Sequence, residues 1–235
     1  MLRFPNPSCQ SCPQRGNPLM ACCALDELEL VAANKTTQHY QKGQVIYQEG
    51  SQALGFYCVY QGKIKLSKAG GDNKEQIINL FHAGDVLGYR ALLAGTRYTS
   101  SAVALEDCVV CMVPRPDFLR LVQGNLQFST ALMQLLARSL GQAEQRMLHL
   151  AYKPVRERLA GALVFVMETF QQEGQELPFR IALGREDLAA LVGTAKETVS
   201  RLLSELKEMG IITTRGSQIT ILKPARLIEI ATMYD

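Results

Sequence analysis

One stretch near the C-terminus limits the fold more than any other: Gly184–Gly210, GREDLAALVGTAKETVSRLLSELKEMG. Leu188, Leu191 and Val192 recur at i, i+3, i+4, the spacing of one buried helical face. Gly193 then supplies a turn. Thr194, with Glu197 three residues on, has the capping-box spacing that opens a second helix. On that helix Val199, Leu202, Leu203 and Leu206 fall on one side, and Glu197, Ser200, Arg201 and Ser204 on the other. Two short helices around a glycine, the second exposing an acid, a hydroxyl and a guanidinium, predict a helix-turn-helix of the DNA-binding kind.

The remaining chain is long enough to carry more than this unit, since 235 residues suit one large domain or two modest ones. With 47% hydrophobic and 20% charged residues, disorder is not the default. A net charge of +3 permits a nucleic-acid partner without requiring one. Since no long cationic tract is present, DNA affinity must come from a few placed contacts. The first residues, MLRFPNPSCQ, lack the apolar run of a signal peptide. No run of about 18 apolar residues suggests a membrane span. The expected address is therefore the cytoplasm. In that reducing compartment Cys9, Cys12, Cys22, Cys23, Cys58, Cys108 and Cys111 are expected as thiols or metal ligands rather than disulfides.

Along the chain the texture changes several times. Residues 1 to about 23 are rich in Pro, Asn, Ser and Cys without apolar period, and predict an irregular lead-in. Leu25 to Ala33 predicts a short helix. From Tyr40 to Pro114 short apolar runs are broken by glycines, with Val45, Tyr47, Tyr57, Val59, Ile64 and Leu66 alternating against polar or small neighbours. That predicts an antiparallel sandwich or barrel, with Gly43, Gly50, Gly62 and Gly84 at turns. Past Pro116 the period is helical. Met133, Leu136, Leu140, Ala143, Met147 and Leu150 step by 3, 4, 3, 4 and 3, a heptad seam. Such a seam pairs helices between subunits, although burial on the helix's own domain produces a similar pattern. It carries no charge, so a homodimer that assembles without a signal is expected. Pro154 marks a break. Arg156 to Phe170 follows as an amphipathic helix, with Leu159, Leu163, Val166 and Phe170 on one side. After the helix-turn-helix, Ile211–Thr214 and Gln218–Ile221 flank Arg215-Gly216-Ser217 and predict a hairpin wing.

This order of parts resembles the Crp/Fnr family of bacterial transcription regulators over nearly the whole chain. The most specific pieces are GDVLG, Gly84 to Gly88, and LGREDLAALVGTAKETVSRLLSELKEMGII, Leu183 to Ile212. The resemblance implies an α+β protein with an N-terminal antiparallel β-roll of cyclic-nucleotide-binding type, a long dimerisation helix and a C-terminal winged helix-turn-helix. The implied divisions are a Cys-containing segment 1–24, a β-roll sensor 25–115, a dimerisation helix 116–152 and a DNA-binding domain 153–235. Implied partners are double-stranded DNA, a second copy of the chain and RNA polymerase. The run E-T-V-S-R, Glu197 to Arg201, is similar to the family's recognition-helix core, nearer the Fnr branch, and implies Glu197, Ser200 and Arg201 as base readers. Arg can donate two bonds to guanine and Glu can accept from the cytosine amine. Lys196 and Thr198 suit phosphates near the helix N-terminus. Glu197 could instead only close a capping box, and Arg201 could instead pair with Glu197.

In the Crp branch cyclic AMP is held by a Gly-Glu pair after the GD-x-x-G turn and by an Arg-Ser pair on the next strand. Here the turn continues Gly88-Tyr89-Arg90, and Thr99 precedes Ser100 where the Arg would stand. Both departures argue against cyclic AMP, since the ribose carboxylate and the charge-assisted phosphate contact are missing. The cysteines resemble a different sensor. Cys9-x2-Cys12, then Cys22-Cys23, and Cys111 far downstream resemble the Fnr arrangement of three N-terminal thiolates and one distant one. That resemblance implies a [4Fe–4S] cluster on Cys9, Cys12, Cys22 and Cys111, with Cys23 as the spare for Cys22. Zinc on the same sulfurs, or thiols without a ligand, remain the alternatives. Cys58 and Cys108 are expected as β-roll residues, Cys58 as a plain core thiol. Haem is the weaker option, because His39, His82 and His149 are isolated.

Two rivals stay beside this reading. A family regulator with no cofactor, constitutive or answering an unknown small molecule, would use the same DNA head. A cupin-type metalloenzyme would need clustered His and carboxylates, and only His82 lies in the β-roll. No enzyme is expected.

Overall fold

The computed structural model describes residues 7–72, 74–171, 178–181, 183–216 and 218–233. They form two compact units. One takes the described residues up to Lys68 together with Phe81–Gly141, and the other takes Ala69–Leu80 and the described residues from Gln142 onward.

The lead-in is more ordered than its composition predicts. A 3-10 turn at Pro13–Gly16 precedes α1 (Pro18–Ala21) and α2 (Leu25–Asn34). Asn17 fastens this segment twice: its amide donates to the Gly84 carbonyl, and its Oδ1 accepts from Leu19 N at 2.9 Å. Glu27 closes the start of α2 by accepting from Ala24 N at 2.8 Å.

Strands β1 (Thr36–Tyr40), β2 (Val45–Tyr47), β3 (Gly55–Gln61), β4 (Ile64–Ala69), β5 (Glu75–Phe81), β6 (Val86–Leu87), β7 (Ser101–Ala104) and β8 (Cys108–Pro114) form the β-roll. Its two sheets run β1-β8-β3-β6 and β2-β7-β4-β5. The predicted turn glycines adopt the left-handed backbone there, with φ of 83° at Gly43, 80° at Gly50, 102° at Gly62 and 100° at Gly84. Alternation holds for Tyr57, Val59, Ile64 and Leu66, all buried. It fails at Val45, which is exposed, because a register shift between Val45 and Tyr47 breaks the two-residue period. A short helix that the strand-like texture concealed, α3 (Tyr89–Ala94), runs between Gly88 and Gly95, both left-handed.

The helical stretch after the roll divides into α4 (Arg115–Gly124) and α5 (Leu126–Tyr152). Asn125 makes the break: its Oδ1 accepts from Phe128 N at 2.9 Å, and its Nδ2 donates to the Cys22 carbonyl at 3.0 Å and Glu27 Oε2 at 2.8 Å. Phe56, Phe118 and Phe128 form the core here. Phe118 meets the other two rings at centroid distances of 5.2 and 6.2 Å.

The second unit contains α6 (Val155–Phe170), β9 (Phe179–Ile181), α7 (Arg185–Val192), α8 (Lys196–Glu208), β10 (Ile212–Arg215), β11 (Gln218–Ile221) and α9 (Pro224–Ala231). Leu159, Leu163, Val166 and Phe170 of α6 are buried, as their period predicts. The hairpin gains a third strand, in the order β10-β11-β9.

Candidate nucleic-acid interface and sulfur cavity

Leu188 and Val192 of α7 and Val199, Leu202, Leu203 and Leu206 of α8 are buried, so both helices turn their apolar faces inward. Leu191 keeps intermediate exposure. Gly193 joins the helices with φ 71°. The second helix starts one residue later than the capping-box spacing predicts. Ala195 is its N-cap and no side chain caps it, so Thr194 does not take that role. Its place lies in the turn, where Thr194 N donates to Ala189 O at 3.1 Å.

Opposite the buried face, Glu197 and Arg201 are exposed, Ser200 and Thr198 have intermediate exposure, and Ser204 is exposed with its hydroxyl on the Ser200 carbonyl at 3.1 Å. Lys196 Nζ reaches Glu186 Oε1 at 2.6 Å, which ties the starts of α7 and α8 together. Arg201 Nη1 reaches Glu205 Oε1 at 2.5 Å, one turn onward rather than back to Glu197. The sequence pattern did not single out Arg185. Its guanidinium donates to the Gly216 carbonyl at 2.5 Å and ties the wing turn to the start of α7.

Along α5, Met133, Leu140, Ala143, Met147 and Leu150 are exposed and Leu136 has intermediate exposure. Leu140 and Met147 keep 62% and 63% of their surface, which own-domain burial would have removed.

In the first unit Cys9, Cys12, Cys58 and Cys111 line one cavity of about 40 Å³, with Lys35, Val59, Val86 and Val113 among its other walls. Three of the four predicted ligands thus line the same cavity. Cys22 does not line the cavity; its thiol donates to the Pro18 carbonyl at 3.0 Å. Burial pushes the neighbouring Cys23 thiol up to about 12, with Glu27 adding to the shift. Burial also raises the thiols of Cys9 and Cys58. Cys58 keeps intermediate exposure and is one of the residues lining the cavity. Lys35 is 8% exposed, and its ammonium lies 3.6 Å from Cys111 Sγ while donating to the Pro7 carbonyl. Among the described residues, no three His, Cys, Asp or Glu converge closely enough to hold a single metal ion. Cys108 stands apart, its thiol on the carbonyls of Lys63 and Glu106 at 3.3 and 3.1 Å.

The region that resembles a cyclic-nucleotide site is occupied by tyrosines. Tyr47 stacks on Tyr98 at 4.1 Å and on Tyr57 at 5.3 Å, and Tyr98 OH donates to the Gly55 carbonyl at 2.6 Å. Ser100 hydrogen-bonds Tyr47, so the hydroxyl aligned with a phosphate contact already has a partner. Tyr89 is buried, with its OH 3.4 Å from Ser139 Oγ. No helix among the described residues is long and apolar enough to cross a membrane.

Residues 37–125 match the cyclic nucleotide-binding domain, and residues 157–230 match the Crp-like helix-turn-helix domain. Over 209 residues the chain is 32% identical to the fumarate and nitrate reduction regulatory protein of Vibrio cholerae, covering 88% of this chain and 82% of that protein. It is 31% identical to the cyclic AMP receptor protein of Thermus thermophilus over 217 residues, 92% of this chain and 98% of that one. The structure of FixK2 from Bradyrhizobium japonicum superposes with a TM-score of 0.73 at 31% identity, covering 83% of this chain and 96% of that one.

Proposed function

Because the chain belongs to the Crp/Fnr family of DNA-binding transcription regulators, we propose that it grips a two-fold promoter site as a homodimer, under redox control through its thiols. It is a regulator and not an enzyme. The observation that carries the DNA reading is α8 itself, where buried Val199, Leu202, Leu203 and Leu206 leave Glu197, Ser200 and Arg201 outward. A helix laid in the major groove brings such a face to base edges. Glu197, Ser200 and Arg201 read bases, and Lys196 and Thr198 meet phosphate. The exposed apolar stripe of α5 supports pairing with a second copy, which doubles the reading head on a symmetric site. The work is done in the cytoplasm, with RNA polymerase as the partner at the promoter.

Control through sulfur is supported by the cavity that Cys9, Cys12 and Cys111 line. Its donor chemistry fits a [4Fe–4S] group: four cysteine sulfurs, no carboxylate among the lining residues and a buried ammonium. When bound, such a group supplies sensitivity to oxygen. The tyrosine stack supports a roll that does not take cyclic AMP, although a relative carries that name.

Selection of bound duplexes from a random pool, followed by sedimentation of the complex, tests the reading. A palindromic consensus with two chains per duplex supports it. An asymmetric consensus held by one chain would overturn it.

A further inference from the structure

The cavity contains a sulfur that the cysteine spacing did not mark as a ligand. Cys58 and Cys111 are paired in register across β3 and β8, so both side chains leave the same face of the sheet. Arg115 N donates to Leu54 O at 2.8 Å, and the antiparallel alternation from that bond makes Cys58–Cys111 a hydrogen-bonded pair. Side chains in such pairs stand wider apart, with Cβ atoms about 5.5 Å from each other. A disulfide needs about 3.5–4.5 Å. The sheet therefore presents two sulfurs side by side and disfavours their oxidation to a bond.

Cys9 and Cys12 bring two more to the same cavity at the C-x2-C spacing that chelates a metal. Lys35 supplies the second independent observation. It is a buried ammonium 3.6 Å from Cys111 Sγ, and among the described residues no carboxylate pairs with it. A buried cation without a counter-charge is costly. Four neutral thiols do not provide one, whereas four thiolates around a dipositive centre leave a net negative charge.

We propose that Cys58 is the fourth sulfur of a soft-metal site completed by Cys9, Cys12 and Cys111, with Lys35 as its charge partner. This rests on the metal reading of the cavity and departs from the resemblance by replacing Cys22. The donors come two from the sheet and two from the N-terminal segment. The sulfurs stand too far apart for a single ion, so the site suits a polynuclear iron–sulfur core that bridges them.

The full chain, purified without oxygen, is loaded in two arms: ferrous iron with sulfide, and cobalt(II) as a coloured stand-in for zinc. Metal content, labile sulfide and thiolate charge-transfer intensity are read for wild type, Cys58→Ser, Cys58→Ala, Cys22→Ala, Cys23→Ala and Lys35→Met, with melting temperatures confirming folding. Loss of the centre in both Cys58 variants, with wild-type loading in Cys22→Ala and Cys23→Ala, is the expected result. Lys35→Met should keep the sulfur count and bind metal about 10-fold more weakly, as removal of a neighbouring support does. Wild-type loading in folded Cys58→Ser overturns the assignment, and loss in Cys22→Ala or Cys23→Ala returns the ligand to the N-terminal segment. If wild type takes up metal in neither arm, the metal reading fails and the assignment with it.

Discussion

The Arg201 guanidinium pairs with the Glu205 carboxylate at 2.5 Å, one turn along α8 and away from Glu197. Both are surface groups, so the pair adds little stability, on the order of 0.3–0.5 kcal/mol. Its consequence is for aim, since a held guanidinium loses less freedom on meeting a base. Glu197 is left to act independently.

Arg201→Ala should weaken binding to the best operator by about 1–3 kcal/mol and relax preference at one base pair, the usual worth of a bidentate contact to guanine. Fluorescence anisotropy on the operator and on a scrambled duplex measures both effects. Unchanged affinities for the two duplexes would remove Arg201 from the reading head.

Leu140→Glu places a carboxylate in the exposed stripe of α5, where the proposed pairing of two chains would set it near its mate. Leu140 is 62% exposed in the single chain, so the substitution should leave each chain folded while shifting sedimentation from dimer to monomer. Operator affinity should fall with it. A variant that stays dimeric would place the interface elsewhere.

Gly193→Ala tests the turn between α7 and α8. Gly193 has φ 71°, which costs a residue bearing Cβ about 1–2 kcal/mol. Urea denaturation should show that loss, with DNA binding reduced by the displaced helix. No change in midpoint would mean that the turn relaxes freely.

His82 provides a pH signature within the roll. Its Nδ1 lies 2.5 Å from Asp85 Oδ2, and that hydrogen bond raises its pKa, with the charge on Asp85 adding to the effect. A raised folded pKa means stability that is fully present below the unfolded value of about 6.5 and lost as pH rises through the folded one. Both side chains are partly exposed, so the effect should stay below about 1 kcal/mol. Urea midpoints of wild type and His82→Gln should differ most at low pH and converge as pH rises. A constant difference across that range would show that the pair does not titrate.

Much of the candidate DNA head is legible in the sequence. The period of Leu188, Val192, Val199, Leu202, Leu203 and Leu206 located the DNA head, because a helix buries one face and exposes the other whatever packs against it. Gly193 and the glycines of the roll declared turns through their backbone freedom. The heptad of α5 was equally readable, and the exposure of Leu140 and Met147 speaks against burial on the helix's own domain. Val45 and α3 depart from the sequence pattern for local reasons: a register shift cancels the alternation, and a short helix between glycines resembles a strand.

Sequence alone determined the helix-turn-helix, the wing and the apolar heptad of α5, because each depends on residues a few positions apart. Tertiary structure alone decided that Cys58 faces Cys111, that Lys35 lies beside them, that Cys22 turns away and that Tyr98 stacks on Tyr47. Those meetings are set by strand register and by the path of the lead-in. Local periodicity carries no record of either, since a one-residue slip of a strand sends every side chain to the other face.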